Sequence, residues 1–375
     1  LFVDFQTAVI GGGIVGLATA QACARRHPDV LLIERHARLG QETTARNSEV
    51  VHAGLYHPPG SLKAQLCVEG RRLLQAFCAQ SGVPYRPLGK LVVACDPSET
   101  PALESLAATA HKNGVAGIRL LTAAQAQTLE PGLACTAALH SPATAVVDSA
   151  ALMLALEASA IEFGATIATS TTAVAIDCEP GRFRIVTVSQ GCETAITCRA
   201  LVLAAGLSAS ALARLITPPL AAPIPETHFA KGHYFALSGK APFDRLIYPM
   251  PSRAGLGIHF TLSTSGEARF GPDVAWCDAP TSTFDDPDGS RREAFIAAIR
   301  RYWPALDVAR LAPAHTGVRP KLARAGEPAR DFAIENAQHH GCENLIALYG
   351  IESPGLTSAM AIGERIAAQL SQARA

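Results

Sequence analysis

Charge is scarce in this sequence. Asp, Glu, Lys and Arg make up 17% of the 375 residues, and 32 basic side chains balance 32 acidic ones. A chain with no net charge offers no electrostatic case for nucleic acid or an anionic membrane surface. Low charge with 49% hydrophobic residues also excludes a disordered chain and leaves ample material for a core. Long apolar runs are missing: none approaches the ~18 residues that would suggest a membrane span. The opening "LFVDFQTAVIGGG" lacks the basic, apolar and cleavage-site pattern of a secretory signal. Ten cysteines are present, but no C-x-x-C and no Cys/His spacing of a zinc site, so no metal is expected. The cysteines read as small core residues of a chain kept in a reducing compartment, and a cytoplasmic location is the expectation. No internal repeat or low-complexity linker breaks the chain, whose length suggests two domains.

What is present begins with "TAVIGGGIVGLATAQACARR", a β-run, a glycine turn and a helix. Gly11, Gly13 and Gly16 keep the G-x-G-x-x-G spacing: one for a tight turn, one for backbone approach to a pyrophosphate, one for helix–strand packing. The helix that follows aims its first N–H groups, those around Ile14 and Val15, at that anion. "VLLIE" then ends in Glu34, followed by Arg35, where a carboxylate can take ribose hydroxyls and would repel a 2′-phosphate. A simple NAD dehydrogenase would continue as alternating βα units, and this chain does not. Two later strand–glycine–helix junctions, "CRALVLAAGLSASALARL" (198–215) and "NLIALYGIESPGLTSAMAIGERIAAQL" (344–370), return to the same sheet. A long cofactor touched from several sides, FAD in an extended pose and bound non-covalently, suits that layout.

The rest reads as helices at 61–82, 146–164 and 287–304 and an antiparallel meander over 165–198. Strands fall near 85–95, 227–239, 244–250, 255–263 and 267–274. The expected fold is therefore α/β, α+β overall. A discontinuous Rossmann-like FAD-binding domain (1–82, 145–215 and 317–375) would carry an inserted, largely antiparallel β-sheet substrate domain (83–144 and 216–316).

The stretches "RNSEVVHAGLY" (46–56), "SLKAQLC" (61–67), "GKLVVA" (89–94), "KGHYF" (231–235), "GVRPK" (317–321) and "GIESPGLTS" (350–358) carry a resemblance. The chain is similar to the D-amino-acid-oxidase-like FAD oxidoreductases, and within them to the L-2-hydroxyglutarate dehydrogenase/oxidase group. It departs from that pattern at His57, where relatives often have a second tyrosine, and at "KGHY", where some have an arginine before the glycine. The resemblance implies oxidation of a small L-2-hydroxy acid to its 2-oxo acid. Its alternatives are an amino-acid or amine oxidase of the same fold, or a flavin-binding protein without turnover. It implies that Thr44, Arg46, Asn47 and Ser48 lie along the cofactor, joined by Val174, Ala205, Gly206, Gly350, Ser353, Gly355, Leu356 and Thr357. His52 would be the base, because imidazole accepts a proton near neutral pH. Arg319 would clamp the carboxylate, because its planar fork matches one. Tyr56, Lys231, His233, Tyr248 and His259 are candidates for further substrate contacts. The electron acceptor stays open among oxygen, a quinone and a carrier protein; a quinone would imply peripheral contact with the inner membrane.

Overall fold

In the computed structural model, which describes residues 2–250 and 257–372, the chain divides into two compact units. One comprises Leu1–Ala45, Ser149–Phe229 and Arg319–Ala375; the other comprises Arg46–Asp148 and Ala230–Val318.

The first unit is built on a nine-stranded sheet. Phe5–Ile10 pairs in parallel with Val30–Ile33 on one side and with Cys192–Leu203 on the other. Val30–Ile33 in turn takes Ala165–Ala168, and Cys192–Leu203 takes Leu345–Tyr349, both parallel. Val30–Ile33 is buried along its whole length, as expected of a strand covered on both faces. The helix Ile14–Ala24 is buried on nearly every side because Gly363 lets the helix Gly355–Gln372 come close. A Cβ on Gly363 would lie 2.6 Å from the Ala18 carbonyl oxygen. The meander expected over 165–198 and the strand expected from 198 share one twelve-residue strand, Cys192–Leu203. Its first half pairs antiparallel with Arg182–Ser189 and its second half joins the parallel core.

The second unit holds another sheet, nine-stranded among the described residues. Lys90–Ala94 runs parallel to Leu246–Pro249 on one side and antiparallel to Ala137–Ser141 on the other. Phe235, Phe243, Phe260, Phe270, Phe295, Tyr302 and Trp303 pack its core beside Leu91, Val92 and Val93. Tyr302, fully buried, donates its hydroxyl to the Ile258 carbonyl at 2.9 Å. The helix Leu62–Ser81 runs as the sequence predicts: Ser61 Oγ accepts from the Ala64 N–H, and Gly82 ends it at φ 68°.

Three expectations need correction. Arg46–Gly82 was assigned to the cofactor-binding domain, but it belongs with the second unit. Val50–Val51 pairs with Ala145–Val147, and Ala53 and Leu55 join the core around Leu91. The expected strand over 85–95 is two strands in different sheets, Tyr85–Arg86 and Lys90–Ala94, separated at Pro87–Gly89. The expected strand at 255–263 is shorter, Phe260–Leu262; Gly255 and Leu256 lie outside the described residues.

Candidate active site

A cavity of about 310 Å³ opens in the first unit at the C-terminal ends of the parallel strands. Gly11, Gly13, Glu34, Arg35, Thr44, Ala205 and Gly206, all expected near the cofactor, line it. Glu34 ties the glycine loop to the end of its strand. Its Oε2 accepts the Gly12 N–H at 2.7 Å and its Oε1 accepts the His36 N–H at 2.8 Å. Each carboxylate oxygen keeps a second lone pair for a hydroxyl. The glycines are dictated by space. A Cβ on Gly11 would lie 2.4 Å from the Ala204 carbonyl oxygen, and one on Gly16 would lie 1.9 Å from the Gly11 carbonyl oxygen. A Cβ on Gly13 would meet only Thr44 Oγ1, so that face is open to a ligand.

The helix Ile14–Ala24 begins without a side-chain cap from Gly13 and without an acid in its first turn, a start suited to an anion. Thr44 Oγ1 accepts the Ile14 N–H at 3.1 Å. A dinucleotide's adenosine and pyrophosphate fit this cradle.

Other expected cofactor contacts sit elsewhere. Ile14 and Val15 lie on the helix but do not line the cavity. Val174 is 40% exposed at a bulge, and its neighbours Thr171, Thr172 and Ala173 form the wall instead. Gly350 turns at φ 64°, where a Cβ would strike Leu322 at 2.5 Å. Gly355, Leu356 and Thr357 form the start of the helix Gly355–Gln372 and Ser353 lies in the turn before it, all outside this cavity. There the Gly355 N–H donates to the Glu352 carbonyl at 2.5 Å, and Glu352 takes Lys321 Nζ at 2.6 Å. Arg319 is half-buried on the strand Leu311–Lys321, between buried Val318 and Pro320, so it is held by regular backbone and not by a loop.

Arg46, Asn47 and Ser48 belong to the second unit. The Arg46 backbone packs on Gly317, where a Cβ would lie 2.4 Å from the Arg46 carbonyl oxygen. Asn47 Oδ1 accepts the Glu49 N–H at 2.5 Å. Beyond them the chain delivers His52, Tyr56 and His57 to one place. Asn113, at the end of the helix Thr100–Lys112, holds this loop by donating to the carbonyls of Gly54 at 2.9 Å and His57 at 2.8 Å. The Cys67 thiol donates to the His52 carbonyl at 3.5 Å. Tyr248 stacks on His259 with ring centroids 3.6 Å apart.

Lys90, which sequence reasoning did not single out, completes the cluster. Its Nζ lies 4.8 Å from the centroid of Tyr56 and 4.4 Å from that of Tyr248. Desolvation, then the positive charge of Lys90, His57 and His259, push the His52 imidazole well below its ordinary range. Desolvation raises both tyrosines above theirs. A lysine opening a strand of otherwise apolar, fully buried residues was the available signal.

Lys231 and His233 were expected to meet substrate, and the structure corrects this. Both are buried and paired with acids. Lys231 Nζ donates to Asp285 Oδ1 and to the Thr283 carbonyl, each at 3.2 Å. His233 bonds Asp273 through Nδ1 at 2.9 Å and Asp285 through Nε2 at 2.7 Å. The His233 hydrogen bond, with help from Lys231, lowers the Asp285 carboxyl to about 2. This knot, which also includes the Arg291–Asp273 pair, ties the strand His228–Leu237 to the segment before Ser290–Arg300. Its donors are engaged with neighbouring acids.

Comparison with known proteins agrees with the cradle. The family described as FAD dependent oxidoreductase matches residues 6–369. An Arabidopsis thaliana protein named L-2-hydroxyglutarate dehydrogenase, mitochondrial, is 38% identical over 398 residues, spanning 96% of this chain and 82% of its own length. A Pongo abelii protein of the same name is 30% identical over 98% of this chain and 88% of its own. Among solved structures, the dithionite-reduced L-alpha-glycerophosphate oxidase of Mycoplasma pneumoniae with FAD bound superposes with a TM-score of 0.86 at 25% identity. That match covers 98% of this chain and 94% of the other. No helix among the described residues is long and apolar enough to cross a membrane. The chain, with its glycine cradle and Glu34, is a member of the FAD dependent oxidoreductase family, and its cofactor is FAD.

Proposed function

We propose that this chain oxidises L-2-hydroxyglutarate to 2-oxoglutarate as an FAD-dependent dehydrogenase of CH–OH groups. The observation that carries this reading is the match, over nearly the whole chain, to relatives named for that activity. FAD, when bound, supplies the acceptor for the α-hydrogen and its electron pair. Everything else falls to side chains.

In this reading His52 removes the hydroxyl proton. Its low proton affinity keeps the imidazole neutral at physiological pH, the form that can accept. Arg319 orients the substrate through the carboxylate next to the reacting carbon. Thr44, Glu34 and the glycine loop hold the cofactor by hydrogen bonds and shape, and the cofactor is bound non-covalently.

The test is anaerobic mixing of the purified holoprotein with L-2-hydroxyglutarate while the visible flavin band is followed. Bleaching is expected. Bleaching only with amino acids would instead make the chain an amino-acid oxidase, and no bleaching with either would leave a binding protein.

A further inference from the structure

We propose that Lys90 is the residue that recognises the second carboxylate of the substrate, so that this site selects dicarboxylic over monocarboxylic hydroxy acids. The proposal rests on the function proposed above and gives it a specificity-determining residue.

Lys90 is fully buried, yet its Nζ has no hydrogen-bond partner. An ammonium has three donors to satisfy, and a buried donor left unmade destabilises the fold. Such an arrangement persists where a ligand completes it. The faces of Tyr56 and Tyr248 flank the nitrogen and hold the stem in place without accepting a proton from it. Lys231 and His233, two other basic side chains on this sheet, are already paired with Asp273 and Asp285.

The titratable groups around Lys90 are His52, His57 and His259, the hydroxyls of Tyr56 and Tyr248, and the Cys67 thiol on the helix behind. None is a carboxylate, so among the described residues no counter-ion faces this cation. A substrate anion supplies it, within the same cluster as the candidate base His52.

Desolvation lowers the Lys90 amine from 10.5 to about 7. In mildly alkaline buffer the free protein therefore carries a neutral amine. Binding a carboxylate restores the ammonium by taking one proton from the buffer, with no bond to carbon made or broken.

The experiment uses the FAD-loaded protein and glutarate, an unreactive dicarboxylate, as the probe. Titration calorimetry at about pH 8 in two buffers of different ionisation heat counts the protons taken up. The wild type is expected to take up about 0.9 proton per glutarate, the unprotonated fraction for a group near 7. Lys90→Met is expected to take up none and to bind glutarate roughly 10- to 100-fold more weakly, the loss of a charge-assisted hydrogen bond.

In turnover, Lys90→Met should lower the ratio of kcat/KM for L-2-hydroxyglutarate to that for L-2-hydroxybutyrate by that factor. Lys90→Arg, which keeps charge but cannot act as a base, should retain the preference for the diacid. Wild-type binding of glutarate without proton uptake would overturn the proposal, whether or not the variants fold. Equal loss on the mono- and dicarboxylic acids would overturn it too. A wild type that takes up the proton with glutarate but does not oxidise L-2-hydroxyglutarate would sink the proposed function and leave Lys90 as an anion site.

Discussion

Replacing Lys90 with methionine should make the protein more stable, and most so at neutral and acidic pH. Methionine has a similar unbranched stem and no charge to desolvate. The folded chain releases the Lys90 proton near 7, whereas an exposed lysine releases it near 10.5. Between those values the unfolded chain binds more protons than the folded one, so stability rises with pH across the window. Integrating the two titrations, the buried lysine costs about 4 kcal/mol at pH 7 and about 1 kcal/mol at pH 9.5. The methionine variant escapes both. Its advantage should shrink by about 3 kcal/mol between the two conditions, which corresponds to roughly 6–12 °C in Tm for a unit of this size. Differential scanning calorimetry of wild type and variant at both pH values, with flavin content matched, measures the difference directly. A variant less stable than wild type, or a gain independent of pH, would show that Lys90 is not held in the desolvated state described here. Taken with the proposed role in substrate recognition, the lysine is an instance of function retained against stability.

Three further outcomes are expected. Arg319→Lys keeps the charge but loses the bidentate fork. It should raise KM for the hydroxy acid by about 1.5–3 kcal/mol in binding terms while leaving FAD content unchanged; steady-state kinetics with a flavin assay checks both. His52→Ala should lower kcat by roughly 10²–10⁴-fold. The wild-type rate should hold down to pH values well below the usual histidine range before falling, because burial and neighbouring cations keep the imidazole neutral; the variant should lack that acid limb. Cys178 and Cys342, free thiols with Sγ atoms 2.8 Å apart, should join when a mild oxidant such as diamide takes their two hydrogens. Intact-mass measurement before and after reduction detects the bond, and Cys178→Ser should prevent it.

The parts of the fold legible in the sequence were those under the hardest local constraints. Gly11 and Gly16 tolerate no side chain, and Val30–Ile33 is apolar because both faces are covered, so strand, turn and helix announced themselves. The helix Thr100–Lys112 was not read, because it buries only Leu103, Ala107 and Ala110, a stripe too small to stand out in an alanine-rich sequence. Arg46–Gly82 was misassigned because its membership is decided by pairing with Ala145–Val147, some ninety residues away, which no local pattern records. Among site residues, His52 was visible as an imidazole amid apolar neighbours. Lys231 and His233 looked equally suitable, since their partners Asp273 and Asp285 are 40 to 54 positions distant. Lys90 was hidden by the same effect in reverse: its meaning lies in the lack of a hydrogen-bond partner among the described residues, which only the packed structure reveals.

The parallel core strand Cys192–Leu203 takes its outer neighbour from Leu345–Tyr349, and the first helix is covered by the last, Gly355–Gln372. On the ribosome this sets an order of events. The strand Phe5–Ile10 is made long before Leu345–Tyr349, and its sheet keeps an open apolar edge until residue 349 has left the exit tunnel. At roughly 5–20 residues per second that wait is on the order of 20–70 s. During it, the emerging first unit carries an unfinished edge of the kind that pairs with other chains. Nascent chains stalled before residue 345 should therefore depend on chaperones far more than chains extended well past residue 349, and the strand Leu345–Tyr349 is the piece that closes this edge.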